Sequence, residues 1–262
     1  MPNALRFFDC NTYLGQAAVP KFFPRRVTVA ELLGEMDRIG VAQALVTHVA
    51  AKEYSPAHGN DLLTSELAEG GSAARLAPCL TLLPEHTGEL WEPDALLDQL
   101  RRRHARCVRL FPSATVHRYP FDRRVLSGLF DVLAPARVPV LVDFDLGRRD
   151  EADWRGLYDL ADAYPELPFV LIRPGGRSDR GLYPLLRRCA NVSIETGGYW
   201  VHRGLERICE RFGADRLVFG SGFPYWTMSG AAYHVATARV SDEERAAIAG
   251  GNLKRLLEGV RL

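Results

Sequence analysis

The sequence predicts an α/β fold: a single (β/α)8 barrel of the TIM type with an extra C-terminal helix, spanning residues 1–262 as one domain. Three observations predict it. Short apolar runs alternate eight times with longer amphipathic stretches, the rhythm of a parallel sheet crossed over by helices. The runs are rich in Val, Leu and Ile without polar alternation, as strands covered on both faces are. No Gly-rich loop follows the first run, which weighs against a doubly wound open sheet.

The elements follow in order. Leu5–Cys10 is the first strand. Val29–Ile39 carries apolar residues at helical spacing, with Thr28 and Glu31 forming a capping box and Gly40 ending the helix. Ala44–Ala50 reads as the second strand, Asn60–Ala68 as a helix and Leu76–Leu83 as the third strand. Pro93–His104 starts as a helix with proline in its first turn, and Cys107–Phe111 is the fourth strand. Arg123–Ala134 is a helix, and Val138–Phe144 the fifth strand. Glu151–Tyr164, Gly181–Cys189, Leu205–Phe212 and Met228–Ala238 are helices. They alternate with the sixth, seventh and eighth strands at Phe169–Arg173, Val192–Thr196 and Arg216–Gly220. Ser241–Leu257 opens with a second capping pattern and forms the extra helix. The longest irregular connection, Leu14–Val27, follows the first strand on the face where barrel sites lie, and is expected to line or cover the mouth.

Composition excludes several functions. Lys plus Arg number 33 against 32 Asp plus Glu, so no global field attracts nucleic acid or an anionic membrane. The five cysteines are widely spaced without a CxxC pair, against a disulfide framework or a structural zinc site. No signal peptide opens the chain and no apolar run spans a bilayer. The expectation is a cytoplasmic protein acting on a small molecule. Self-association as a homodimer is compatible with the sequence.

In a barrel, chemistry sits where strands end. Those positions hold Asp9, Asn11 and Tyr13 after the first strand, His48 after the second and Arg109 in the fourth. Asp143 and Asp145 end the fifth strand, Arg173 the sixth, Glu195 and Thr196 the seventh, and Ser221 and Gly222 the eighth. If the first strand stays regular, Asp9, Asn11 and Tyr13 share one face.

Several stretches resemble the amidohydrolase superfamily, specifically its amidohydrolase-related, decarboxylase-like branch. FFDCNTYLG at Phe7–Gly15 resembles the D-x-H-x-H-x-G strand of that branch. LPFVLIRPGG at Leu167–Gly176 resembles its P-x-V-x-x-H-x-G-G strand. FGADRLVFGSGFP at Phe212–Pro224 resembles its F-G-x-D-R-x-x-F-G-S-D-x-P ending, and GGNLKRLL at Gly250–Leu257 resembles its closing helix. The resemblance implies a barrel with a divalent metal held by two histidines of strand one, histidines of strands five and six and an aspartate of strand eight. Here those positions hold Asn11, Tyr13, Asp143, Arg173 and Gly222. An arginine cannot lose its proton to bind a dication. The chain is therefore similar to a subset lacking the metal ligands, with openings like FDxNxxxG and endings like FGxGxP. The expectation is no metal and no cofactor.

The replacement set suits a carbonyl substrate with an acidic handle. Arg109 and Arg173 offer two forks for a carboxylate or phosphate, helped by Asn11, Glu195, His117 and Tyr225. Asp143 is a base or the ion-pair partner of Arg173. Tyr13 suits an oxyanion, His48 proton transfer near neutral pH, and Asp9 remains from the family pattern. Tyr199, Trp200, Tyr225 and Trp226 wall an apolar pocket or cap the barrel. Cys10 reads as a buried small residue. Three functions follow. One is a metal-independent hydrolase of lactones or amides, or a lyase, acting on a small organic acid. Another is an inactive relative used for binding, and the third an enzyme with its metal relocated to Asp9, Asp143, Asp145 and Glu195. A mouth plugged by the Leu14–Val27 segment or the Trp200–Trp226 cluster favours the second; an open pocket with Asp143 and His48 within proton-transfer reach of one ligand favours the first.

Overall fold

The computed structural model describes residues 5–18, 26–72, 74–146 and 151–262. Eight parallel strands run in sequence order: β1 (Phe7–Leu14), β2 (Val41–His48), β3 (Leu76–Thr81), β4 (Cys107–Leu110), β5 (Val140–Val142), β6 (Phe169–Leu171), β7 (Val192–Glu195) and β8 (Leu217–Val218). Closure comes from the chain just beyond β8. Cys10 N donates to Phe219 O at 2.9 Å, Tyr13 N to Phe223 O at 2.9 Å, and Gly222 N to Asn11 O at 2.8 Å. The expected (β/α)8 barrel is what the chain forms.

Helices α1 (Val29–Ile39), α2 (Val49–Glu53), α3 (Pro56–Glu69), α4 (Pro93–Arg102), α5 (Arg123–Leu133), α6 (Trp154–Ala163), α7 (Asp179–Arg188), α8 (Gly204–Phe212) and α9 (Met228–Ala236) surround it. The Thr28–Glu31 capping box forms, and Gly40 ends α1 at φ 87°, a left-handed conformation natural to glycine. The expected C-terminal helix is present but broken in the middle. α10 (Asp242–Ala246) starts with the Ser241–Glu244 capping box, a π turn covers Ala247–Gly251, and α11 (Asn252–Glu258) follows. The break has visible causes. Ile248 O turns to accept Phe219 N at 3.1 Å. A side chain at Gly250 would come within 2.6 Å of Arg6 O.

α11 plugs the bottom of the barrel. Leu253 and Leu257 pack against the interior residues Phe8, Cys10, Leu45, Cys79, Cys107, Leu141, Val170 and Val218. Each such buried leucine contributes about 1.5–3 kcal/mol. Cys10 is a buried member of this layer, as expected, and all five cysteines are free and buried.

Strand alternation then builds a polar layer above the apolar one. Two residues beyond Leu45, Cys79, Cys107 and Leu141 come Thr47, Thr81, Arg109 and Asp143, all buried. β7 adds Glu195, also buried.

Two strands differ from expectation in ways that move candidate site residues. The second strand ends at His48 rather than Ala50, and the chain turns at once into α2, which the sequence reading missed. β1 is not regular. Asp9 pairs with Ala44 and Thr12 with Val46, so three steps on β1 match two on β2. This bulge breaks the alternation. In consequence Asn11 and Tyr13 line the mouth, while Asp9 is fully buried against β8. Of the irregular connection after β1, residues 19–25 lie outside the described residues; its neck is closed by paired backbone bonds between Gly15 and Val27 at 2.9 and 2.8 Å.

No helix among the described residues is long and apolar enough to cross a membrane.

Candidate active site

A cavity of about 530 Å³ opens at the C-terminal ends of the strands. Asn11, Tyr13, Asp143, Arg173 and Tyr225 line it, as the sequence suggested, together with Gly222 and Trp226. Lys52 and Glu53 of α2 line it too.

Arg109 is the electrostatic centre of the floor. It is fully buried, and its Nη2 donates to Asp143 Oδ2 in an ion pair. Nη1 donates to Asn11 Oδ1 at 2.9 Å. The guanidinium lies between the rings of Tyr13 and Phe111, with ring centres 4.7 and 4.9 Å away. Cation–π stacking of this kind partly replaces the lost hydration. Tyr13 Oη donates to Asp143 Oδ2 at 3.4 Å, and Asp145 N donates to Asp143 Oδ1 at 2.9 Å. Burial opposes ionisation of Asp143, but the charges of Arg109 and Lys52 with these hydrogen bonds outweigh it and hold its carboxyl below the usual range. Burial pushes the Tyr13 phenol well up, so it stays a hydrogen-bond donor.

Lys52 Nζ pairs with Asp145 Oδ1 at 2.7 Å and lies 5.1 Å from the Tyr225 ring centre. Tyr225 Oη donates to Glu53 Oε1 at 3.0 Å. Lys52 is a cavity-lining residue that the strand-end positions do not include. The apolar run Val49–Ala51 extends the strand pattern and hides the start of its helix.

Arg173 does not pair with Asp143, contrary to one sequence reading. Its φ is 50°, a left-handed conformation rare outside glycine, and this turn separates its side chain from β5. The backbone is held there by Glu195 Oε2, which accepts Arg173 N at 3.1 Å. Gly198 assists, since a side chain on it would come within 2.4 Å of Arg173 Cα. The guanidinium stacks on Trp226 at 4.2 Å from the ring centre. Among the described residues it has no ion-pair partner, and its buried Nη1 has no hydrogen-bond partner.

The remaining candidates sit elsewhere. Asp9 Oδ1 accepts Asn11 N and Ser221 N, each at 2.9 Å, and so ties β1 to the chain after β8. Burial pushes its carboxyl up to about 7. Burial likewise raises Glu195, opposed by the Arg173 charge. Asn11 stands beside Glu195, yet Asn11 Nδ2 and Glu195 Oε1 both lack a partner in hydrogen-bonding geometry. His48 is not in the cavity wall. Its Nδ1 accepts Ala50 N at 3.1 Å as the N-cap of α2, and its Nε2 faces Glu66 at 3.6 Å. His117 also lies behind the wall, packed edge-on to Phe111 and against the α2 backbone at Ala51 and Lys52; burial lowers the basicity of both histidines. The aromatic cluster divides. Tyr225 and Trp226 line the cavity, while Trp200 stacks on His234 and Tyr199 is buried with its hydroxyl on Asp179.

The residues present do not fit a divalent metal of the family kind. A guanidinium bonded to Asn11 and Asp143 occupies the middle of the floor, and a second overlooks it. Among the described residues no three His, Cys, Asp or Glu side chains converge on a point that would hold a metal ion.

Comparison with known proteins agrees with the fold. A search of curated proteins finds no match. Among solved structures, 5-carboxyvanillate decarboxylase from Sphingomonas paucimobilis superposes with a TM-score of 0.74 at 18% identity, over 97% of this chain and 99% of that one. A dihydroxybenzoic acid decarboxylase from Polaromonas, solved with manganese and 2-nitroresorcinol, gives 0.75 at 16% identity, over 97% of each chain. The 5-carboxyvanillate decarboxylase of Novosphingobium aromaticivorans gives 0.77 at 12% identity, over 98% of each. At such identities these likenesses speak for the barrel alone. The amidohydrolase family model, however, matches residues 25–258, nearly the whole chain, and the protein belongs to that family.

Proposed function

We propose that this protein is a metal-independent enzyme that hydrolyses the lactone or amide of a small carboxylate-bearing acid. The observation that carries this reading is one ionised carboxylate, Asp143, facing the cavity between two donors, Tyr13 and Lys52. Asp143 takes a proton from water as the water oxygen bonds to the substrate carbonyl carbon. The carbonyl π pair moves onto oxygen, where Lys52 Nζ and Tyr13 Oη stabilise it. Collapse re-forms the carbonyl and breaks the C–O or C–N bond, and Asp143 returns its proton to the leaving atom. Asp9 and His48 take no part, since neither lines the cavity.

A lyase step on the same acid is the second reading. It is favoured by the three cationic groups, Arg109, Arg173 and Lys52, gathered around one cavity, which would stabilise negative charge left on the substrate. The structural neighbours that act as decarboxylases lend it support.

The test is a panel of lactones, amides and free acids of small carboxylates, assayed with and without chelator, with carbon dioxide release read in parallel. The expected result is turnover that chelator does not change. Turnover lost to chelator and restored by a divalent metal overturns the metal-independent reading. Ligand binding without turnover on any substrate favours the inactive relative instead.

A further inference from the structure

Two unpartnered donors of the cavity wall lie close together at Gly222. Gly222 follows β8 with φ 75° and carries no side chain. A Cβ built there would lie 3.1 Å from Arg173 Nη1, 3.6 Å from Asn11 Nδ2 and 3.1 Å from the Trp226 ring. Both nitrogens are buried and lack a hydrogen-bond partner. Asn11 itself is 1% exposed. A buried donor left unsatisfied is destabilising, more so when it is charged. Glu195 stands beside Asn11, but its Oε1 is not in hydrogen-bonding geometry with Asn11 Nδ2 or Arg173 Nη1. The left-handed backbone of Arg173 and its stack on Trp226 hold the guanidinium in place beside Gly222.

The chemistry of the occupant follows from the charges. Two N–H donors, one on a guanidinium with no ion-pair partner among the described residues, suit a planar monoanion with two oxygens. A phosphate dianion fits less well. Arg109 and Lys52 are already paired with Asp143 and Asp145, and those carboxylates face the same cavity. We propose that the cavity wall beside Gly222 is a carboxylate subsite, in which a ligand carboxylate in the cavity accepts hydrogen bonds from Arg173 Nη1 and Asn11 Nδ2. This rests on the small-acid reading above only for the ligand class.

Benzoate and benzamide test it, being matched in shape and different in charge. With the purified protein, benzoate is expected to bind and to raise the melting temperature, with benzamide weaker by about tenfold or more. Arg173→Met is expected to remove that preference while keeping the wild-type circular dichroism spectrum. Gly222→Asp supplies a carboxylate in cis, and benzoate should no longer raise its melting temperature. Equal binding of the two probes overturns the subsite, as does absence of benzoate binding at millimolar concentration. So does an Arg173→Met protein that binds benzoate within about twofold of wild type. Failure of the hydrolytic reading looks different: benzoate still binds and its preference still depends on Arg173, but no substrate turns over.

Discussion

The two arginines of the mouth are a controlled contrast. Arg109 is fully buried, ion-paired, hydrogen-bonded to Asn11 and stacked between two rings. Arg173 is only partly buried, holds a left-handed backbone, touches one half-exposed tryptophan and has no acceptor among the described residues. The same side chain is thus part of the floor in one place and an open binding group in the other. What separates them is whether a carboxylate from a neighbouring strand reaches the guanidinium.

Breaking the floor should cost most. Arg109→Met is expected to lower stability by about 3 kcal/mol, because it leaves Asp143 buried without its main partner. In wild type the Asp143 carboxyl is held below its ordinary range, so its stabilisation is complete above the unfolded pKa and is lost as pH falls through the folded one. The gap between wild type and Arg109→Met should therefore be wide at neutral pH and narrow in acid, read by denaturant melts at both. An equal gap at the two pH values would remove the charge pair from the explanation.

Asp143→Asn keeps the shape of the floor and removes the base. Turnover should fall by about 100-fold or more, and wild-type activity should persist into mildly acidic pH, as a depressed carboxyl requires. An activity that instead appears only above neutral pH would point to another base. Arg173→Met should move stability by no more than about 0.5 kcal/mol, since it breaks no ion pair. A loss as large as that of Arg109→Met would make the contrast false. Trp226→Ala is the smallest step. It should weaken benzoate by only a few-fold, the worth of one exposed cation–π stack at about 0.5–1 kcal/mol.

The same contrast marks what the sequence could disclose. The barrel is legible because buried parallel strands need continuous apolar runs, and because Thr28 and Ser241 announce their helices by capping boxes. Strand ends disclose part of the mouth: Asn11, Tyr13, Asp143 and Arg173 line it, whereas Asp9, His48 and Glu195 do not. Pairing is not legible from them. Asp143 on β5 has Arg109 on one neighbouring strand and Arg173 on the other, and the choice is made by a left-handed turn that no residue type at position 173 betrays. The β1 bulge is hidden for a similar reason. FDCNTYL alternates well enough on paper, yet one extra step moves Asp9 away from Asn11 and Tyr13. Lys52 is hidden because Val49–Ala51 continues the apolar strand pattern past His48. His48 is the cap of a short helix, and that helix delivers the lysine.

The plugged bottom of the barrel has a kinetic meaning. Leu253 and Leu257 close the interior from below, and the cavity opens at the C-terminal ends of the strands. On the proposed hydrolytic reading, substrate and product acid pass through that mouth and take the same carboxylate subsite. A product acid that has not yet left excludes the next substrate, and added product should inhibit competitively, raising KM and leaving kcat unchanged.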